Sequence, residues 1–169
     1  MDGVFGTALV APGPAPEYAS ELATFGRFIG SWTIEHDMLS ESAGEWLHLR
    51  QRWTFAWILG GLAVQDVIEV LREDGSVGVT VGTTVRAFDP SINGWRVNWF
   101  SPRFAEYRSL IAFPYREGIR QDGSRADGRP IRWNFSEITA DSFVFDGWCS
   151  DDEGATFWHE QHMTARRIA

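Results

Sequence analysis

The chain contains no lysine, and all fifteen of its basic side chains are arginines. This excludes Schiff-base chemistry on lysine, and with it lysine-bound pyridoxal phosphate or retinal. The Gly-Lys-Ser/Thr phosphate loop is missing as well, as is the Gly-x-Ser-x-Gly elbow of serine hydrolases. No cofactor is expected. The single cysteine, Cys149, rules out an internal disulfide and a multi-cysteine zinc site, and it suits a reducing compartment. A cytoplasmic protein is expected. Met1 to Ala11 shows neither a basic start nor a sustained apolar run, so no secretory leader and no membrane span are expected. Positive charge is also short: the formal net charge is −8, with the arginines scattered among acids, which argues against a nucleic-acid partner. No fixed-period repeat suggests a propeller or solenoid.

What the chain has is tryptophan, nine in 169 residues, mostly inside short alternating segments. Trp95, Val97 and Trp99 alternate with Arg96, Asn98 and Phe100. Ile131, Trp133 and Phe135 alternate with Arg132, Asn134 and Ser136. Period two is the mark of a strand with one buried face. Residues 1–16, rich in Gly, Ala and Pro, read as a flexible arm, and 17–169 as one domain. Tyr18, Leu22, Phe25 and Ile29 recur at helical spacing and predict one short helix ending at Gly30. Ten strands are then expected, at about 31–39, 46–58, 62–72, 76–88, 94–101, 105–113, 115–121, 130–138, 142–150 and 155–166. Turn chemistry separates them, as at Ser42-Ala43-Gly44, Gly60-Gly61, Asp74-Gly75 and Asn93-Gly94. A run of hairpins with one N-terminal helix predicts an all-β fold, an antiparallel up-and-down barrel.

The segment from Phe25 to Thr33, F-G-R-F-I-G-S-W-T, places Gly30-Ser31-Trp32 where the helix meets the first strand. This resembles the lipocalin-like barrels of the calycin superfamily, including single-domain bacterial families of unknown function. The resemblance implies that Trp32 lies across the closed end of the barrel, covered by a basic residue of the last strand, Arg166 or Arg167. Ten strands without disulfides are also similar to fatty-acid-binding and nitrobindin-type barrels, although the extended histidine motif of the latter is missing.

Taking the more apolar face of each strand as interior predicts an inward set. It comprises Trp32, Ile34, His36 and Met38; Leu47, Leu49, Gln51, Trp53, Phe55 and Trp57; and Val79, Val81, Thr83 and Val85. Further along come Trp95, Val97 and Trp99; Tyr107, Ser109, Ile111 and Phe113; Ile131, Trp133 and Phe135; Phe143, Phe145 and Cys149; and Phe157, His159, Gln161 and Met163. Arg50, Arg52, Arg86, Arg96, Arg108 and Arg132 fall on the outer face. The third strand has two registers open: Leu62, Val64, Asp66, Ile68 and Val70 inward is more apolar than Ala63, Gln65, Val67, Glu69 and Leu71, but Asp66 then needs a buried partner, for which His36, His159 and Tyr107 are candidates, or a bulge after Gly60-Gly61 turns it outward.

An aromatic enclosure with few polar groups suits binding of a small, largely apolar, planar molecule. Gln51, Trp53, Trp57, Trp95, Trp99, Tyr107, Trp133 and Gln161 are the candidate ligand contacts. A second reading is a cofactor-independent isomerase, cyclase or dehydratase acting on an aromatic or polyketide-like compound, with His36, Asp66 and His159 as acid/base groups. A third is a haem-binding barrel with an inward His159 as iron ligand. His159 and His162, three apart in a strand, point to opposite faces unless a bulge intervenes, so no metal site is expected. The small hydrophobic ligand is the expected partner, and a homodimer stays open.

Overall fold

The hairpin turns deliver a meander whose first and last strands meet. In the computed structural model, which describes residue 6 and residues 8–168, ten antiparallel strands form a closed barrel in the order β1-β10-β9-β8-β7-β6-β5-β4-β3-β2. The strands are β1 (Gly30–Ser40), β2 (Glu45–Ile58), β3 (Ala63–Leu71), β4 (Val77–Asp89), β5 (Gly94–Ser101), β6 (Glu106–Tyr115), β7 (Gly118–Arg125), β8 (Pro130–Ser136), β9 (Ser142–Cys149) and β10 (Trp158–Arg167). Closure removes the unpaired edges that an open sheet of this length would present. The helix α1 (Ala19–Gly26) follows a single 3-10 turn at Pro16–Tyr18. Among the described residues no helix is long and apolar enough to cross a membrane.

Part of the proposed N-terminal arm lies outside the described residues. Further along it, the Ala11 amide donates to the Trp57 carbonyl and the Ala15 amide to that of Gly61. α1 buries Leu22, Thr24 and Phe25 against one end of the barrel. Around them pack Phe28, Trp32, Trp53, Phe55, Trp95, Phe135 and Phe143, all close to fully buried. Most of their rings meet at tilted and edge-to-face angles, with centroids 4.7–6.2 Å apart, while Phe28 and Phe55 stack at 5.7 Å, arrangements that aromatic quadrupoles favour. Trp32 donates from Nε1 to the Phe28 carbonyl at 2.7 Å. The Arg167 guanidinium lies 4.0 Å from its ring centroid and donates to the Ile29, Arg27 and Ala140 carbonyls. Of the two expected covers, Arg167 is the one that closes this end.

Strand phase agrees with expectation in β1, β5, β8 and β9, takes the more apolar of the two open registers in β3, with Val64, Asp66 and Ile68 buried, and departs from expectation in three places. In β4 the inward residues are Thr84 and Arg86, both 1% exposed, whereas Thr83 bonds to Gln65 outside. A register shift at Val81, between the pairs Ile68↔Gly82 and Glu69↔Thr80, reverses the phase, so Thr83 and Val85 point outward. In β6 the buried residues are Leu110 and Ala112, while Tyr107 is 47% and Phe113 43% exposed. Pairing of Trp99 with Arg108 puts the arginine inside beside its indole partner, and Tyr107 packs against Phe100 on the outer wall. In β10 a shift between His159 and Gln161 makes Glu160 the extra residue. Glu160 and Gln161 both turn in, and Phe157 and His159 turn out. Two chain-end effects are smaller: Leu47 and Leu62 sit near turns and are exposed.

Candidate functional site

Because neighbouring strands run in opposite directions, the α1 end gathers the start of β1 and β5 and the end of β2. That end is filled by the aromatic cluster under α1. The other end holds a cavity of about 430 Å³, within the roughly 300–1,000 Å³ range of ligand pockets. Trp99 and Trp133 form its walls with Met38, Val81 and Met163, and Trp53, Phe145, His36, Gln51, Thr84 and Arg86 belong to its lower part and floor. Glu41, Glu106, Arg108, Arg125 and Glu160 come from strand and hairpin ends at the mouth.

Two glycines shape these walls. A Cβ on Gly82 would come within 2.7 Å of the Trp99 ring and 2.5 Å of the Phe100 carbonyl, so only glycine lets the indole lie flat on β4. A Cβ on Gly147 would meet the Gln161 side chain at 2.6 Å, which shows how closely that amide lies across β9.

The floor is built on a buried ion pair. Arg86 bonds to Asp66 with side chains 1% and 0% exposed, and the Asp66 carboxylate also accepts from the Thr84 amide at 3.0 Å. The guanidinium carbon lies 5.2 Å from the Phe25 ring centroid, 5.6 Å from Phe55, 5.7 Å from Phe135 and 6.0 Å from Trp53. A cation buried among ring faces gains back part of its lost hydration. The partner that Asp66 requires is thus Arg86 from the adjacent strand, replacing the expected His36, His159 or Tyr107.

His36 is 4% exposed and lies in the cavity wall. Burial is the largest influence on its ring and pushes the pKa down to about 4, against the amides of Gln51 and Gln161 and the charge of Asp37. The ring is therefore neutral at pH 7. Although the Gln51 and Gln161 amides act on the ring, neither ring nitrogen meets a partner in full hydrogen-bond geometry, and Gln51 Oε1, Trp53 Nε1 and Arg86 Nε also lack partners. The floor carries more polar capacity than the protein itself uses.

At the mouth, Arg125 is clamped between Glu41 and Glu160. Burial works against its charge, but the two carboxylates outweigh that and raise its pKa. Glu160 also accepts from Trp133 Nε1 at 3.2 Å, fixing the indole against the wall. Arg108 is held less firmly: its side chain is 12% exposed and Glu106 approaches only to 3.6 Å. Cys149 is fully buried, and burial pushes its thiol up, away from nucleophilic character.

Of the candidate ligand contacts, Gln51, Trp53, Trp99, Trp133 and Gln161 are brought together around the cavity. Trp57 and Trp95 face inward but lie at the packed end, Trp57 over Gly26 and Trp95 against Phe25. Tyr107 is on the outer wall. The acid/base pairs are not assembled: Asp66 is engaged by Arg86, and His159 bonds to Asp146 outside. An outward His159 also removes the ligand on which the haem reading relied. Sequence reasoning missed Arg86, Arg108, Arg125 and Glu160. A signal existed for the first two, since a buried Asp66 demands a cation and a short link after β5 pairs Trp99 with Arg108.

Fold and cavity together define a closed ten-strand antiparallel barrel with an aromatic-walled chamber at one end. No family model matches the chain, and no curated protein matches it by sequence. Among solved structures, the Rv2717c protein of M. tuberculosis superposes with a TM-score of 0.66 at 11% identity, over 92% of this chain and 99% of that one. An S-type phycobiliprotein lyase, CPES, from Guillardia theta superposes with a TM-score of 0.62, again at 11% identity over 92% and 99% of the two chains. At that identity the likeness is one of fold.

Proposed function

We propose that the protein binds a small, planar, largely apolar molecule in this cavity, without itself transforming it. The observation that carries the reading is the composition of one chamber: Trp53, Trp99, Trp133 and Phe145 around it, above a floor whose polar atoms lack protein partners. Flat rings bury area against a flat ligand, each contact adding about 0.5–1.5 kcal/mol beyond burial. Unpaired buried polar atoms cost about 1–3 kcal/mol each, so a ligand with hydrogen-bonding atoms at its inner end gains by meeting them. Arg108, the loosely held cation at the mouth, favours an acidic group at the outer end.

Catalysis receives no comparable support, because the titratable ring in the cavity, His36, is neutral and lacks a carboxylate partner. The test is saturable quenching of tryptophan emission by planar aromatic probes, with neutral and carboxylated naphthalenes compared. Trp99→Ala and Trp133→Ala are expected to weaken binding by about 1–3 kcal/mol while remaining folded. Tyr107→Ala, on the outer wall, is expected to leave it unchanged. Undiminished affinity in both tryptophan variants would overturn the reading.

A further inference from the structure

The bulge that turns Glu160 into the barrel does something on the outside as well. Without it, His159 and His162 would lie on opposite faces; with it, both project from the outer wall beside Asp146 of β9. His159 Nε2 and His162 Nδ1 each stand 2.8 Å from the same carboxylate oxygen, Asp146 Oδ1. One ligand atom from each of the three residues lies within 4.8 Å of the other two. The register partner of Asp146 on β8 is Asn134, whose buried Oδ1 has no hydrogen-bond partner. Side chains of Trp46 and Trp148 flank His159, with ring centroids 5.6 and 5.5 Å away, and limit its rotation.

We infer that Asp146, His159 and His162 form a binding site for a divalent first-row transition ion, of which Zn²⁺ is the fitting physiological case. Two neutral imidazoles and a carboxylate are the donors such an ion prefers, whereas Mg²⁺ and Ca²⁺ require mostly oxygen. Zinc bonds of about 2.0–2.2 Å in a tetrahedron place donors roughly 3.3 Å apart. The two nitrogens are already near that distance from the carboxylate oxygen and need only small side-chain rotations. Binding replaces the N–H protons shared with Asp146 by the ion, so the imidazole donor atoms must be unprotonated. Water completes the coordination, since the histidine side chains are 39% and 38% exposed. The site lies outside the chamber and is independent of the ligand-binding reading. Glu160, the bulge residue between the two histidines, points the other way, to Trp133 and Arg125 of the chamber.

Calorimetric titration of the metal-free protein with Zn²⁺, and absorption spectroscopy with Co²⁺, test the inference. One ion per chain is expected, with His159→Gln and His162→Gln each weakening Zn²⁺ binding at least about tenfold and abolishing the Co²⁺ ligand-field bands. Both substitutions are on the outer wall, and circular dichroism checks that the barrel persists. His48→Gln removes an outer-wall imidazole that pairs with Glu35 and with Asp37, the register partner of His162, but is not one of the three donors, and it is expected to bind as the parent does. Failure of the parent protein to bind Zn²⁺, binding that survives both substitutions, or binding that depends on His48 instead would overturn the assignment.

Discussion

Replacing Arg86 by methionine would leave the Asp66 carboxylate, 0% exposed, with only the Thr84 amide as donor. Breaking one side of a buried ion pair costs about 3–5 kcal/mol, because the remaining charge keeps its desolvation penalty and loses its compensation. For a chain of this size each kcal/mol moves the melting temperature by about 2–4 °C, so Arg86→Met is expected to lower it by roughly 6–20 °C. Asp66→Asn strands the guanidinium instead. The rings of Phe25, Phe55, Phe135 and Trp53 make that loss the smaller of the two. Asp66→Val combined with Arg86→Met removes both charges from an aromatic surround and is expected to cost less than either single change at the pair. Urea unfolding followed by circular dichroism and tryptophan emission measures Arg86→Met, Asp66→Val and their combination, and the cycle yields the coupling directly. A coupling of at least about 3 kcal/mol is expected. Additive single changes would refute the claim that this pair organises the cavity floor.

The His36 ring resists protonation down to about 4, whereas an unfolded histidine takes up its proton near 6.5. Between those values the unfolded chain binds more protons, so stability is complete above about pH 6.5 and falls toward pH 4, by about 3 kcal/mol. His36→Gln should flatten that slope relative to the parent, as read from urea midpoints across the window. Gly82→Ala must displace Trp99 or bend β4; it is expected to lower probe affinity by about 1–3 kcal/mol, and unchanged Trp99-dependent quenching would count against the wall as described. Arg167→Lys keeps the charge over Trp32 but loses the planar fork that reaches three carbonyls, at an expected cost of about 1–3 kcal/mol in thermal unfolding. A cost no greater than that of an exposed arginine substitution would show that the cover is ornamental.

The division between sequence and tertiary structure runs along physical lines. Alternation is a local property, and it was enough to identify ten strands, the short helix before β1, and the inward faces of β1, β5, β8 and β9, while it left the facing of Asp66 open between two registers. Composition was enough to rule out lysine chemistry. Height within the barrel is not local. Trp57 and Trp99 look alike in pattern, but β2 ends and β5 begins at the packed end, which puts Trp57 under α1 and Trp99 in the chamber. Bulges are equally hard to read, because one extra residue leaves the composition of a strand unchanged while reversing the face of everything beyond it. Those at Val81 and Glu160 decided that Arg86 faces in and His159 faces out. In β6, Tyr107 and Phe113 are the apolar face by content, but pairing of Arg108 with Trp99 overrode that content: cross-strand partners share a face, and the arginine found room at the mouth. The polar interior was therefore the part settled by tertiary structure. A buried charge is tolerated only where a specific partner from another strand reaches it: the register of the β3–β4 hairpin brings Arg86 to Asp66, and the curvature of the wall from β7 to β10 brings Arg125 to Glu160.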